Sequence, residues 1–272
     1  MISRFDLLEL FIRGMLSTLK YHFIRTPLER PLMFLRETLK LPGRLRHPEL
    51  AEIYKESGRI QQVLSQSLTT HSNCLDVGAH YGSMLSAFVR LAPRGQHIAI
   101  EAIPEKADFL RRKFPEVRVY SLALSSQSGK VDFYVNTRRS GFSGMAKHGS
   151  PQEKFRRITV PCDRLDSLIP RSPRIDFVKI DVEGAEDTVL RGGTSFIADH
   201  RPLILFECTP SGTRAFGKHP SEVFEFLTDD LGYEIYFLKD FLQGGSPVDL
   251  ETFADALVYP FQAFNWIARP AN

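Results

Sequence analysis

The sequence predicts an open α/β domain: seven strands, mostly parallel with an antiparallel last strand, helices on both faces, and a helical segment in front. Three observations point there. From Asn73 onward, short apolar runs alternate with helical stretches, the pattern of βα units that build a parallel sheet. Two of these runs carry an acid at or next to their end with a glycine two or three residues on, at Asp76-Val-Gly78 and Asp181-Val-Glu-Gly184. Two further runs near the C-terminus, 233–238 and 264–268, supply a late pair of strands.

Taken in order, Phe5, Leu8, Ile12, Met15, Leu16, Leu19 and Phe23 recur at steps of three and four, one face of an amphipathic helix. Basic residues punctuate the region (Arg4, Arg13, Lys20, Arg25, Arg30, Arg36, Lys40). Such a helix either covers the domain or a second subunit, or makes peripheral contact with an anionic membrane. Asp6, Glu9 and Arg13 interrupt what a signal peptide would need. A second helix is expected over 48–68, so residues 1–70 form an N-terminal helical segment and 71–272 the main domain.

In the main domain the expected strands are 74–77, 97–101, 117–123, 177–181 and 203–207, followed by the late pair. Helices fit at 83–91, 104–114 and 183–191, the last closed by Gly192-Gly193. Residues 131–135 alternate as an extra strand would. The Gly-, Ser- and base-rich stretch 137–151 after them is either an acceptor-binding loop or a surface excursion.

Composition narrows the function. The chain has 272 residues, 43% hydrophobic and 25% charged, as ordinary folded proteins do. Its 35 basic residues nearly match 32 acidic ones, so no nucleic-acid partner is expected. Cys74, Cys162 and Cys208 form no CxxC pair and leave an odd count, which fits a reducing, cytoplasmic setting. No stretch reaches the roughly 18 apolar residues of a membrane span.

The strongest local signal is Asp76-Val-Gly-Ala-His-Tyr-Gly82, between a strand and a helix. Open α/β sheets bind nucleotide-like ligands there, and Gly78 and Gly82 let the backbone approach without a Cβ. A dinucleotide site wants GxGxxG over a pyrophosphate. Here the spacing is GxxxG behind a carboxylate, placed at the mouth of the site, which suits the ammonium and sulfonium of S-adenosylmethionine. Glu101 ends the next strand 25 residues beyond Asp76, where Rossmann-like folds hold both ribose hydroxyls. Ala79, His80 and Tyr81 complete the turn, and Ala102, Ile103, Leu122 and Ala123 are expected to flank the adenine.

Lys179-Ile-Asp-Val-Glu-Gly-Ala-Glu186 puts Asp181 at a strand end, facing Asp76 and Glu101 across the cofactor, and Glu183 at the opening of a helix. With its DVGAxxG turn and IDVEGxE segment, the chain resembles the FkbM-type methyltransferases from about Cys74 to Ala268, including Val160–Leu168 as that family's strand-then-LDSL segment. The resemblance implies the seven-stranded methyltransferase sheet, S-adenosylmethionine as cofactor, and O-methylation of a hydroxyl on a sugar, glycolipid or secondary metabolite. The family commonly has Asn where this chain has His80.

Methyl transfer asks the protein to position the reactants and to take the acceptor's proton. Asp181, Glu183 and Glu207 are the candidates, Asp181 also as a cofactor contact. Three oxygen ligands could instead hold Mg²⁺, which is not favoured, and no His/Cys spacing supports zinc. The partner is a small-molecule or glycan acceptor. The rival readings are an NAD-dependent or nucleotide-sugar oxidoreductase, opposed by the missing GxGxxG, and a non-catalytic binding protein on the same scaffold.

Overall fold

A computed structural model of the chain describes residues 41–137, 140–147 and 153–271, with 23, 25–28 and 31 before them. The amphipathic helix expected over 5–23 lies outside the described residues, Phe23 excepted. The first described elements are α1 (Leu41–Arg46), a 3-10 turn at Pro48–Leu50 and α2 (Ala51–Ser67). Then come β1 (Cys74–Val77), α3 (Ser83–Leu91), β2 (Ile98–Ile100), α4 (Pro104–Lys113) and β3 (Arg118–Tyr120).

Next are β4 (Ala123–Leu124), β5 (Gly129–Asn136), β6 (Phe155–Asp163), α5 (Leu165–Leu168), β7 (Phe177–Ile180), α6 (Glu186–Arg191), α7 (Thr194–His200) and β8 (Leu203–Glu207). The chain closes with α8 (Pro210–Ala215), α9 (Pro220–Glu225), β9 (Tyr233–Phe237), α10 (Leu238–Gln243), α11 (Leu250–Ala256) and β10 (Asn265–Pro270).

Seven strands form the main sheet in the order β3-β2-β1-β7-β8-β10-β9. All run parallel except β10, which is antiparallel to β8 and β9 on either side. The strands alternate side chains between two apolar layers, as period-2 geometry requires. Leu75, Val77, Val178, Ile180, Ile204, Phe206 and Trp266 face one way, against Leu190 of α6, Phe196 of α7 and Phe253 of α11. Cys74, Ala99, Phe177, Leu205 and Ile267 face the other, against Val63 and Leu64 of α2 and Phe88 of α3.

Helix α2 therefore shares the sheet's core, although the sequence groups it with the N-terminal segment. Glu56 fastens it further: one oxygen accepts the amides of Phe264 and Asn265, and the other accepts the Asn265 side chain. Among the described residues, no helix is long and apolar enough to cross a membrane.

Three expectations change in detail. The run 117–123 is two strands, because after Tyr120 the chain leaves the main sheet and Ala123–Leu124 pair with β6. Nothing in the run Val-Arg-Val-Tyr-Ser-Leu-Ala marks the change of pairing partner. The extra strand at 131–135 is β5, whose antiparallel partner β6 completes a second sheet in the order β4-β6-β5. The helix expected from Glu183 starts at Glu186, since Glu183 (φ 58°) and Gly184 (φ 101°) turn left-handed first. Its Gly192 cap is right-handed (φ −74°), and glycine is needed there for packing: a Cβ would lie 2.1 Å from the Ser125 carbonyl oxygen.

Candidate active site

The turn after β1 alternates through left-handed backbone at Gly78 (φ 77°), His80 (φ 53°) and Gly82 (φ 82°). A Cβ on Gly78 would sit 1.9 Å from the carbonyl oxygen of Asp181, so the β1 and β7 turns touch backbone to backbone. His, Asn and Asp are the non-glycine residues that best tolerate this region, which explains how a histidine can stand at position 80. Its amide donates to Glu101 Oε2 (2.8 Å), and its Nε2 lies 3.0 Å from the Ser140 hydroxyl.

At the C-terminal edge of β1, β2 and β7 lies a cavity of about 310 Å³, within the range of small-molecule sites. Gly78, Ala79, His80, Glu101, Ala102, Ile103, Leu122, Ala123, Asp181 and Glu183 line it. Asp76, Tyr81, Gly82 and Glu207 do not. Gly82 opens α3 and packs against Phe114 and Leu110. Tyr81 turns away to meet Phe109 edge-on.

Asp76 is a correction. It is not at the mouth of the cavity but fully buried in the layer beneath the turn, and neither of its oxygens has a hydrogen-bond partner. The cause is register: Asp76 pairs with Lys179 across β1 and β7, so both side chains enter the same apolar layer. The Lys179 ammonium lies 3.5 Å from Asp76 and 3.2 Å from Asp181, and donates to the Gly78 carbonyl at 3.0 Å. Burial pulls Lys179 down, but the two aspartates outweigh it and hold the ammonium above the ordinary lysine value. Burial lifts the Asp76 carboxyl, with Lys179 opposing. Asp76 thus lies behind Lys179, which does line the cavity.

Glu101 is buried at the end of β2, each oxygen accepting one amide, from His80 (2.8 Å) and Ile103 (2.9 Å). Each oxygen keeps acceptor capacity for a ligand hydroxyl. Burial raises its carboxyl, opposed chiefly by Lys106. Lys106, missed by the sequence reading, is a buried residue of α4 that lines the cavity and donates to the Ser140 carbonyl at 2.9 Å. Burial brings its ammonium down to about 8.

Ser140, Gly141, Ser143 and Met145 roof the cavity, so the described part of the 137–151 loop belongs to the site. Two backbone bonds between Tyr134 and Gly144 pin it to β5. Lys179 lies within the apolar run Phe177–Ile180 and Lys106 in the first turn of α4, places where a lysine reads as solvated.

On the far side, Asp181, Glu183 and Glu207 bring carboxylate oxygens within 4.8 Å of one another, close enough to share a proton or hold a cation. Burial and the neighbouring acids push Glu207 well above the carboxylate range. Behind them Glu186, also raised by burial to about 7, accepts the amides of Val182 (3.0 Å) and Gly184 (3.2 Å) on one oxygen.

Residues 76–235, more than half of the chain, match the family described as the methyltransferase FkbM domain. A curated relative, the 2-O-methyltransferase NoeI of Sinorhizobium fredii (strain NBRC 101917 / NGR234), is 26% identical over 189 residues, 62% of this chain and 78% of the relative. Among solved structures, an FkbM methyltransferase from Methylobacillus flagellatus KT aligns at 14% identity over 74% of this chain, with a TM-score of 0.46; the match spans 44% of that chain, less than half its length. A precorrin-6y C5,15-methyltransferase from Geobacter metallireducens GS-15 aligns at 16% identity over 65% of this chain and 73% of its own, with a TM-score of 0.37.

Proposed function

The chain belongs to the FkbM methyltransferase family, and from that premise we propose that it moves a methyl group from S-adenosylmethionine to a hydroxyl of a sugar, glycolipid or other hydroxylated metabolite. The observation that carries the cofactor is Glu101: a buried carboxylate on the cavity wall, with spare acceptor capacity on both oxygens, next to a turn whose Gly78 leaves no room for a Cβ. In this reading Glu101 holds the two ribose hydroxyls and Ala102, Ile103, Leu122 and Ala123 enclose the adenine. The backbone of Gly78–His80 takes the amino-acid end. Asp76 and Lys179 set the charge beneath it.

Bound there, S-adenosylmethionine supplies a methyl carbon already activated by its sulfonium. The protein's part is to align the acceptor oxygen with that carbon and keep water out, which is worth roughly 7–11 kcal/mol of barrier. Asp181, tied on one oxygen to Lys179, orients the acceptor. Glu183 takes the hydroxyl proton as the new C–O bond forms and the C–S bond breaks, and Glu207 stabilises the proton it receives. The 2-O specificity in the name of the rhizobial relative supports oxygen as the acceptor atom.

The test is to incubate the chain with methyl-labelled donor and a panel of neutral glycans, glycolipids and host extracts. Label should appear on a hydroxyl. Adenosylhomocysteine binding without transfer to any acceptor would favour a binding protein on this scaffold, and saturable NADH binding would favour an oxidoreductase.

A further inference from the structure

Glu186 ends the Asp-Val-Glu-Gly-Ala-Glu segment and has no part in the reading above. It is 1% exposed and does not line the cavity. An acid so deeply buried is expensive unless its oxygens are used. One of them is used twice, for the amides of Val182 and Gly184, the residues on either side of Glu183.

The bracketed residue is in an unfavourable shape. Glu183 stands at φ 58°, which bulky side chains avoid and which persists only where the surroundings impose it. The surroundings here are two. The N-terminal turn of α8 closes on Gly184, where a Cβ would fall 2.3 Å from the Gly212 backbone. The Glu186 carboxylate closes the other side. Val182 and Glu183 thereby face the cavity, with Glu183 oxygens near those of Asp181 and Glu207. Asp187 is a second acid in the first turn of α6, so a helix-end charge is supplied without Glu186.

We propose that Glu186 is the positioning residue of this site: its carboxylate clamps the Val182–Gly184 turn in the left-handed shape that aims Glu183 into the cavity. Its catalytic consequence rests on the methyl-transfer reading; the clamp does not. Two features follow from the geometry. A neutral side chain with the same acceptor oxygen keeps the clamp, and one that withdraws the oxygen releases it.

The experiment compares the full-length wild type with Glu186→Gln, Glu186→Asp and Glu186→Ala by native-state amide exchange. In Glu186→Ala and Glu186→Asp, exchange at Val182 and Gly184 should rise at least about tenfold with no matching rise at Val178 in β7, and in Glu186→Gln none of the three should rise by more than about threefold. In the transfer assay, Glu186→Ala should lower kcat as far as Glu183→Ala does, leave adenosylhomocysteine affinity within about threefold, and add nothing in the double variant.

Unchanged exchange at both amides in Glu186→Asp, or a rise spread evenly over the sheet, overturns the clamp. So do additive losses in kcat. If Glu186→Ala does not fold, the aspartate and glutamine variants decide the matter alone. A wild type that shows the protection yet moves no methyl group refutes the functional reading and leaves the clamp standing.

Discussion

Replacing Lys179 with methionine removes the cation beneath the glycine turn while keeping the volume of its stem. The variant strands Asp76, which is fully buried with no hydrogen-bond donor, and releases Asp181, whose other surroundings reach solvent. Asp76 can escape only by taking a proton. Holding it protonated at pH 7, against 3.8 for an ordinary aspartate, costs about 4 kcal/mol at about 1.4 kcal/mol per pH unit. Part of this is already present in the wild type, where burial lifts Asp76, so the net loss is about 2–4 kcal/mol.

The pH dependence has a definite sign. A carboxyl raised in the folded state destabilises above its unfolded value, and that penalty disappears as pH falls. At pH 5 the same reasoning allows a loss of under about 2 kcal/mol. Urea unfolding can be followed by the fluorescence of Trp266, the one tryptophan and fully buried in β10. Asp76→Asn in the same chain should restore most of the loss at pH 7. A deficit below about 1 kcal/mol at pH 7, or one that does not shrink at pH 5, refutes Lys179 as the counter-ion of Asp76.

Other substitutions probe the rest of the site. Glu186 is held near 7 against an ordinary 4.5, so Glu186→Gln should stabilise the fold by up to about 3 kcal/mol at pH 8 and by almost nothing at pH 4.5, read as the difference in melting temperature between the two buffers. Gly78→Ala forces a Cβ against the Asp181 carbonyl at positive φ; adenosylhomocysteine affinity should fall at least about tenfold with the main sheet's circular dichroism retained. His80→Ala removes one tie to Ser140 while its amide stays on Glu101, so limited proteolysis within 137–153 should quicken with cofactor affinity reduced only about two- to fivefold.

The main sheet was readable because its strands are apolar runs of the right length between turn residues, and all seven occur where those runs lie. The second sheet was half readable. Val131 and Val135 alternate with polar residues, but most of β6 (Phe-Arg-Arg-Ile-Thr-Val) carries charge on its exposed face and pairs mainly with β5, which leaves little apolar signal. At the site, glycine spacing and strand-end acids located Gly78, Glu101 and Asp181. Spacing along the chain says nothing of depth, so Asp76 was placed in the cavity when register puts it beneath the floor. Lys106 and Lys179 acquire their roles from burial, which no local pattern encodes.

Calorimetric titration of adenosylhomocysteine into the wild type, Glu101→Gln and Glu101→Ala tests the central claim most directly. Saturable one-to-one binding is predicted for the wild type, weakened at least about tenfold by Glu101→Ala and less by Glu101→Gln, which keeps one acceptor oxygen. A folded wild type that binds no adenosylhomocysteine, or a Glu101→Ala variant that binds it as tightly, contradicts the assignment of this cavity to a methyl donor.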